Sequence, residues 1–200
     1  MGTGTAAFDL RYIRASQIGT GGSTVKTAFA AVASLVVALA GSAAFADPPR
    51  LLKVVKSVNI SAPVDKVWNA VKDFDSLNKW HPGFASDEIQ KGENNKVGAV
   101  RKLTVKDGPS FTEELLAFDD AKYTYKYRII ESPLPLRDYV SHITVTPGPD
   151  GGSHVSWVGN FKRKSTSDTP PEGENDAAAL KLINSVYDGG LANLKKMFSK

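Results

Sequence analysis

Two charged residues stand where charge is least expected. Arg101 and Glu113 each fall on the odd positions of a strand-like run, in phase with Leu103, Val105, Phe111 and Leu115. If the odd phase faces inward, both charges are buried. A lone buried charge is costly, so each must be paired with the other or with a ligand. Three chemistries are therefore open: an internal salt bridge that fixes the sheet, an Arg101 anchor for a ligand carboxylate or carbonyl, and an acid–base role for Glu113. The same phase carries Tyr125, Tyr127, Tyr139 and Trp157. Each has an apolar body and a polar tip, the side-chain type that lines small-molecule sites. Tyr187 lies on the apolar stripe of a C-terminal helical pattern and can join them. Trp80 and His81 stand beside Pro82 and Gly83, where the chain must turn, and are candidates to close a cavity mouth. His81 titrates near neutral pH, but no residue near it in sequence would orient it as a general base.

No catalytic set is nominated from these residues, and whether the protein is an enzyme stays open. Three scattered histidines without an i, i+4 pair make no metal site. The chain has no cysteine, which excludes disulfides and thiolate chemistry. No phosphate-binding glycine loop or nucleophile elbow occurs, and no cofactor is expected. Net charge is +4 over 200 residues. Arg11, Arg14 and Lys26 against Asp9 account for half of that excess, so the rest of the chain is near balance. That balance does not suggest nucleic acid.

The elements that position these residues follow from periodicity. Residues 27–40 are uncharged and Ala-rich, follow Lys26, and lead to Ala44-Phe45-Ala46 before Asp47. A basic flank, a short apolar run and a small-x-small site read as a secretory signal; the run is shorter than a bilayer span. Residues 1–46 are therefore expected to be a cleaved signal peptide, residues 47–200 one domain, and the location periplasmic or secreted, with membrane contact only through the signal. Residues 51–61 form a β-type run. Ser61 as N-cap and Pro63 in the first turn introduce a helix over 63–72, with Val64, Val67, Trp68 and Val71 on one face. A second short helix is expected over 73–80. Strands follow over 87–91, 99–106, 111–118, 122–131, 137–146 and 153–162, the last two joined by a Pro/Gly-rich hairpin turn. Residues 176–200 are expected to form a long helix. Gly189-Gly190 within it either kinks it or lets it approach the sheet closely.

Strand, two short helices, a run of antiparallel strands and a long helix imply an α+β fold with a curved sheet of six to seven strands around the last helix. In that order, residues 57–68, the Asp73–Pro82 segment with its D-F-x-x-L-x-x-W-H-P pattern, residues 132–139, residues 157–161 and residues 190–195 resemble the SRPBCC superfamily. This is the helix-grip fold of START-like, pollen-allergen-type and polyketide cyclase/dehydrase-like proteins. The resemblance covers about residues 51–200 and is nearest to exported members similar to a methanol-oxidation accessory protein. It implies an interior cavity for a small hydrophobic or partly polar ligand, lined by Trp80, His81, Arg101, Glu113, Tyr125, Tyr127, Tyr139, Trp157 and Tyr187. Its functional range is wide. A binding protein, a cyclase/dehydrase-like enzyme, and an accessory protein with a periplasmic protein partner, such as a dehydrogenase, all remain open.

Overall fold

The computed structural model describes residues 47–199. The expected signal segment lies outside the described residues. The chain runs β1 (Leu52–Ile60), α1 (Val64–Val71), α2 (Leu77–Trp80), β2 (Phe84–Lys91), β3 (Val100–Val105), β4 (Ser110–Asp119), β5 (Thr124–Glu131), β6 (Leu136–Pro147), β7 (Ser153–Arg163) and α3 (Asp176–Met197). The seven strands form one antiparallel sheet in the order β1-β7-β6-β5-β4-β3-β2. β1 and β2 thus occupy opposite edges, and α1 and α2 carry the chain between them. α3 lies against β1 and β7, and α2 packs against β2 and α3. This is the expected helix-grip arrangement.

Local chemistry explains most of the boundaries. Pro63 itself is the α1 N-cap and no side chain caps that end, so Ser61 does not hold the role expected of it. The fixed φ of proline sets the helix entry instead. Asp73–Ser76 turns rather than continuing a helix, because the Phe74 amide donates to Asn95 Oδ1 and the Ser76 hydroxyl to Asp73 O. The second helix therefore shrinks to Leu77–Trp80. Asn175 caps α3, accepting from the Ala178 amide at 2.8 Å, and Lys195 and Lys196 sit at its negative end.

The inward phase follows the odd positions on β3, β5 and β7, on β4 as far as Leu115 and on β6 from Tyr139, and the even positions on β1. β7 alternates buried and half-buried residues without interruption from Ser153 to Arg163. β4 does so only as far as Leu115. A register shift between Leu115 and Ala117 turns the strand over, as a bulge must in a structure of period two. Ala117, expected inside, is exposed, and Phe118 instead meets the Trp68 ring at 5.9 Å. Tyr123 is the other departure. It has a left-handed φ of 53° at the turn before β5 and is half-buried, its ring at 6.0 Å from that of Trp68.

Candidate functional site

β3 and β4 place Arg101 directly opposite Glu113. The guanidinium gives Nε and Nη2 to Glu113 Oε2 at 2.9 and 2.6 Å. Its Nη1 donates to Asp87 Oδ2 at 3.1 Å and to the Phe74 carbonyl at 2.5 Å. Aromatic rings cover it: the guanidinium carbon lies 4.1 Å from the Phe74 centroid and 5.3 Å from that of Tyr127. Arg101 is 1% exposed and Glu113 3%. Of the three chemistries open to this pair, the geometry is that of the internal salt bridge. A second carboxylate, Asp87, completes it. Burial pushes the Glu113 carboxyl up to about 7, against the pull of Arg101. Burial also raises Asp87, again against Arg101. Burial alone would lower Arg101, but the two carboxylates outweigh it and hold the guanidinium charged.

The aromatic residues form the adjoining part of the interior. Tyr125 and Tyr127 on β5 have ring centroids 5.8 Å apart, and Tyr127 lies 6.1 Å from Tyr139 on β6. Trp157 on β7 stacks on Tyr187 of α3 at 4.2 Å and 13°. The polar tips meet one another. The Tyr187 hydroxyl is 2.7 Å from that of Tyr139 and 2.8 Å from Ser141 Oγ. Trp157 Nε1 donates to Tyr127 OH at 2.9 Å and to Ser141 Oγ at 3.1 Å. Tyr127 and Tyr139 are only marginally in contact, at 3.5 Å. Burial raises all four tyrosines, so they are neutral hydroxyls. Gly159 makes the arrangement possible, since a Cβ there would collide with the Tyr187 hydroxyl.

Trp80 and His81 join the same cluster from α2, with Trp80 5.5 Å and His81 6.2 Å from Trp157. Both are 1% exposed, so they pack beneath α3 and do not gate an open mouth. His81 Nε2 lies 2.8 Å from the Val186 carbonyl, and Nδ1 accepts from the Gly83 amide at 3.0 Å. These partners fix the Nε2–H tautomer. Burial lowers the ring to about 4, and neither nitrogen is free to act as a base. Gly190 permits the close approach: a Cβ there would stand 2.5 Å from His81 Cδ2 and 2.9 Å from Trp157 Cζ3. α3 continues through both glycines.

All nine residues singled out from the sequence therefore share one interior. Asp87, Ser141 and Phe74 belong to it and were not singled out. Ser141 had the right phase and carried no other signal. Asp87 sits on a strand whose register shifts twice, which hides its inward phase. Among the described residues five buried side-chain atoms lack a protein partner: Trp80 Nε1 and Asp87 Oδ1, which belong to this interior, and Asn78 Oδ1, Asn94 Oδ1 and Arg137 Nε. A second buried guanidinium, Arg163, closes the far end of β7. It binds the side chain and carbonyl of Asp47, the carbonyls of Ser165 and Ser167, and Asp176. Elsewhere, a groove of about 460 Å³ opens between the start of β4 and the β5–β6 loop, lined by Lys102, Ser110, Phe111, Thr112, Glu131, Ser132 and Pro133. None of the nine residues lines it.

Residues 52–198 match the family described as polyketide cyclase/dehydrase and lipid transport. The chain belongs to this family. Among solved structures it is similar to the protein XoxI from Bacillus cereus, at 30% identity and a TM-score of 0.63, over 73% of this chain and 94% of that one. An uncharacterised protein from Bacillus thuringiensis is similar at 30% identity and a TM-score of 0.64, over 74% of this chain and 98% of that one. Among curated proteins, the Arabidopsis thaliana abscisic acid receptors PYL10 and PYL7 are 33% and 35% identical over 90 and 106 residues. These matches cover 44% and 51% of this chain and 49% of each receptor. The chain thus spans about half the length of these curated relatives.

Proposed function

We propose that the domain is a binding protein for a small, largely apolar molecule carrying a polar group, acting in the periplasm or outside the cell. The observation that carries this reading is the polar content of the interior. Four tyrosine hydroxyls, a serine, an indole N–H and a charged triad share a space that apolar packing alone would fill. Trp80 Nε1 and Asp87 Oδ1 still find no protein partner there, whereas buried polar groups are nearly always paired. The interior side chains touch one another, so a ligand enters by exchanging its own polar group for one of these contacts; the 3.5 Å Tyr127–Tyr139 pair is the weakest. Membership of a family that includes lipid transport, and the names of the abscisic acid receptors, support the same reading.

An acid–base enzyme is favoured by one observation, the Glu113 carboxyl held at about 7. Against it, Glu113 Oε2 is bridged by two guanidinium nitrogens, and His81 has both nitrogens engaged. The geometry favours binding over turnover. Purification of the full chain from the periplasm of a bacterial host, followed by native mass spectrometry and solvent extraction, tests the proposal. A stoichiometric small molecule is expected. Recovery of protein that is empty and stays empty across a panel of apolar alcohols, phenols, acids and lipids would remove it.

A further inference from the structure

Resting on that ligand-binding reading, the charge pattern of the interior narrows the ligand class. Among the described residues, the buried charged side chains are Asp87, Arg101, Glu113, Arg163 and Asp176. Both cations are spoken for. Arg101 uses Nε, Nη1 and Nη2 on two carboxylates and a carbonyl, with rings over it. Arg163 is enclosed by Asp47, Asp176 and three carbonyls at the far end of β7. His81 is neutral, and the tyrosines are neutral hydroxyls.

A carboxylate entering this interior would meet one guanidinium that already serves two carboxylates. It would have to displace one of them and leave that one buried without a counter-charge. Coulomb repulsion and desolvation act in the same direction here. A neutral O–H or N–H donor meets the opposite situation. Asp87 Oδ1 is an acceptor with no protein partner, and the hydroxyl cluster can accept a further O–H without breaking charge balance.

We propose that the interior selects an uncharged ligand that donates a hydrogen bond, an alcohol or phenol on an apolar frame, and rejects carboxylates. The test uses the full chain and two probes of nearly equal shape, 2-naphthol and 2-naphthoate, in mildly alkaline buffer where the naphthol is uncharged. Binding is read from tryptophan fluorescence and calorimetry. The naphthol is expected to bind at least about tenfold more tightly than the naphthoate, a gap of ~1.4 kcal/mol. In Glu113→Gln, and separately in Asp87→Asn, the gap is expected to narrow severalfold, through tighter naphthoate binding, because one negative charge is gone. Each variant is first checked for a native near-ultraviolet spectrum, and the wild-type comparison stands without them. Naphthoate binding as tight as naphthol overturns this inference and leaves the ligand-binding reading standing. If neither probe binds, this inference is overturned, and the broader reading is decided separately by the extraction and the ligand panel.

Discussion

The triad around Arg101 makes the sharpest demands on single residues. Replacing Arg101 by Met leaves Asp87 and Glu113 facing each other with no cation, and is expected to cost about 3–5 kcal/mol. Glu113→Gln keeps Arg101 paired with Asp87 and the Phe74 carbonyl, and should cost much less. Urea unfolding of the two variants checks the order; equal losses would contradict the cost assigned to leaving both carboxylates without a cation. The pH dependence has a definite sign. Glu113 moves from 4.5 to about 7 on folding, so the folded state holds the extra proton and stability from this group falls as pH rises from 4.5 to 7. Asp87 is shifted in the same direction. His81 is lowered from 6.5 to about 4, so its contribution is lost as pH falls through that window. The two trends oppose each other in the wild type. Relative to wild type, Glu113→Gln should gain stability steadily between pH 4.5 and 7, read from urea midpoints. A flat difference would contradict the Glu113 assignment. That Arg101 and Glu113 are buried together was legible in their shared phase with Leu103 and Leu115. That they form a triad was not, because the third member lies on a strand with two register shifts.

At the scale of elements, alternation was a sound guide wherever a strand ran without interruption. It placed Tyr125, Tyr127, Tyr139 and Trp157 correctly. It failed at Ala117 and Phe118, where one extra residue inverts the faces and no residue type announces it. The two glycines of α3 could not be resolved from sequence either, since helix propensity penalises both alike. The structure separates them. Gly190 lies under the rings of His81, Trp157 and Trp80, while the nearest atom to a Cβ on Gly189 is His81 Cε1 at 3.9 Å. Gly189→Ala should therefore stabilise the protein by up to about 1 kcal/mol through helix propensity. Gly190→Ala should destabilise it, overpacking costing about 1–3 kcal/mol. Thermal unfolding of the two variants, measured side by side, decides the matter. A loss in both would mean that the helix has no slack on either side.

For the whole molecule, the helix-grip architecture was legible from the order and spacing of elements, because sheet and helix each leave one apolar face that only the other can cover. The tie between Asp47 and the β7–α3 connection was not. Arg163 lies just past the last strand position considered, yet it binds Asp47, the loop after β7 and the first turn of α3, while the Asp47 amide reaches the Asp168 carbonyl at 2.8 Å. If residues 1–46 are an export signal, Edman sequencing of protein recovered from the periplasm should begin at Asp47. A start elsewhere would move the proposed cleavage site, and recovery only from the cytoplasm would remove the export proposal.

The placement of β1 has a consequence for how the chain is made. Its ladder partner is β7 alone, which is translated about a hundred residues later, so closing that loop is among the slower steps available to a small domain. While the ribosome is still working, the first strand has nothing to pair with and the sheet stays open at that edge. If the chain is exported unfolded, as proposed, such a layout gives it time, since the last strand to emerge is the one that completes the sheet.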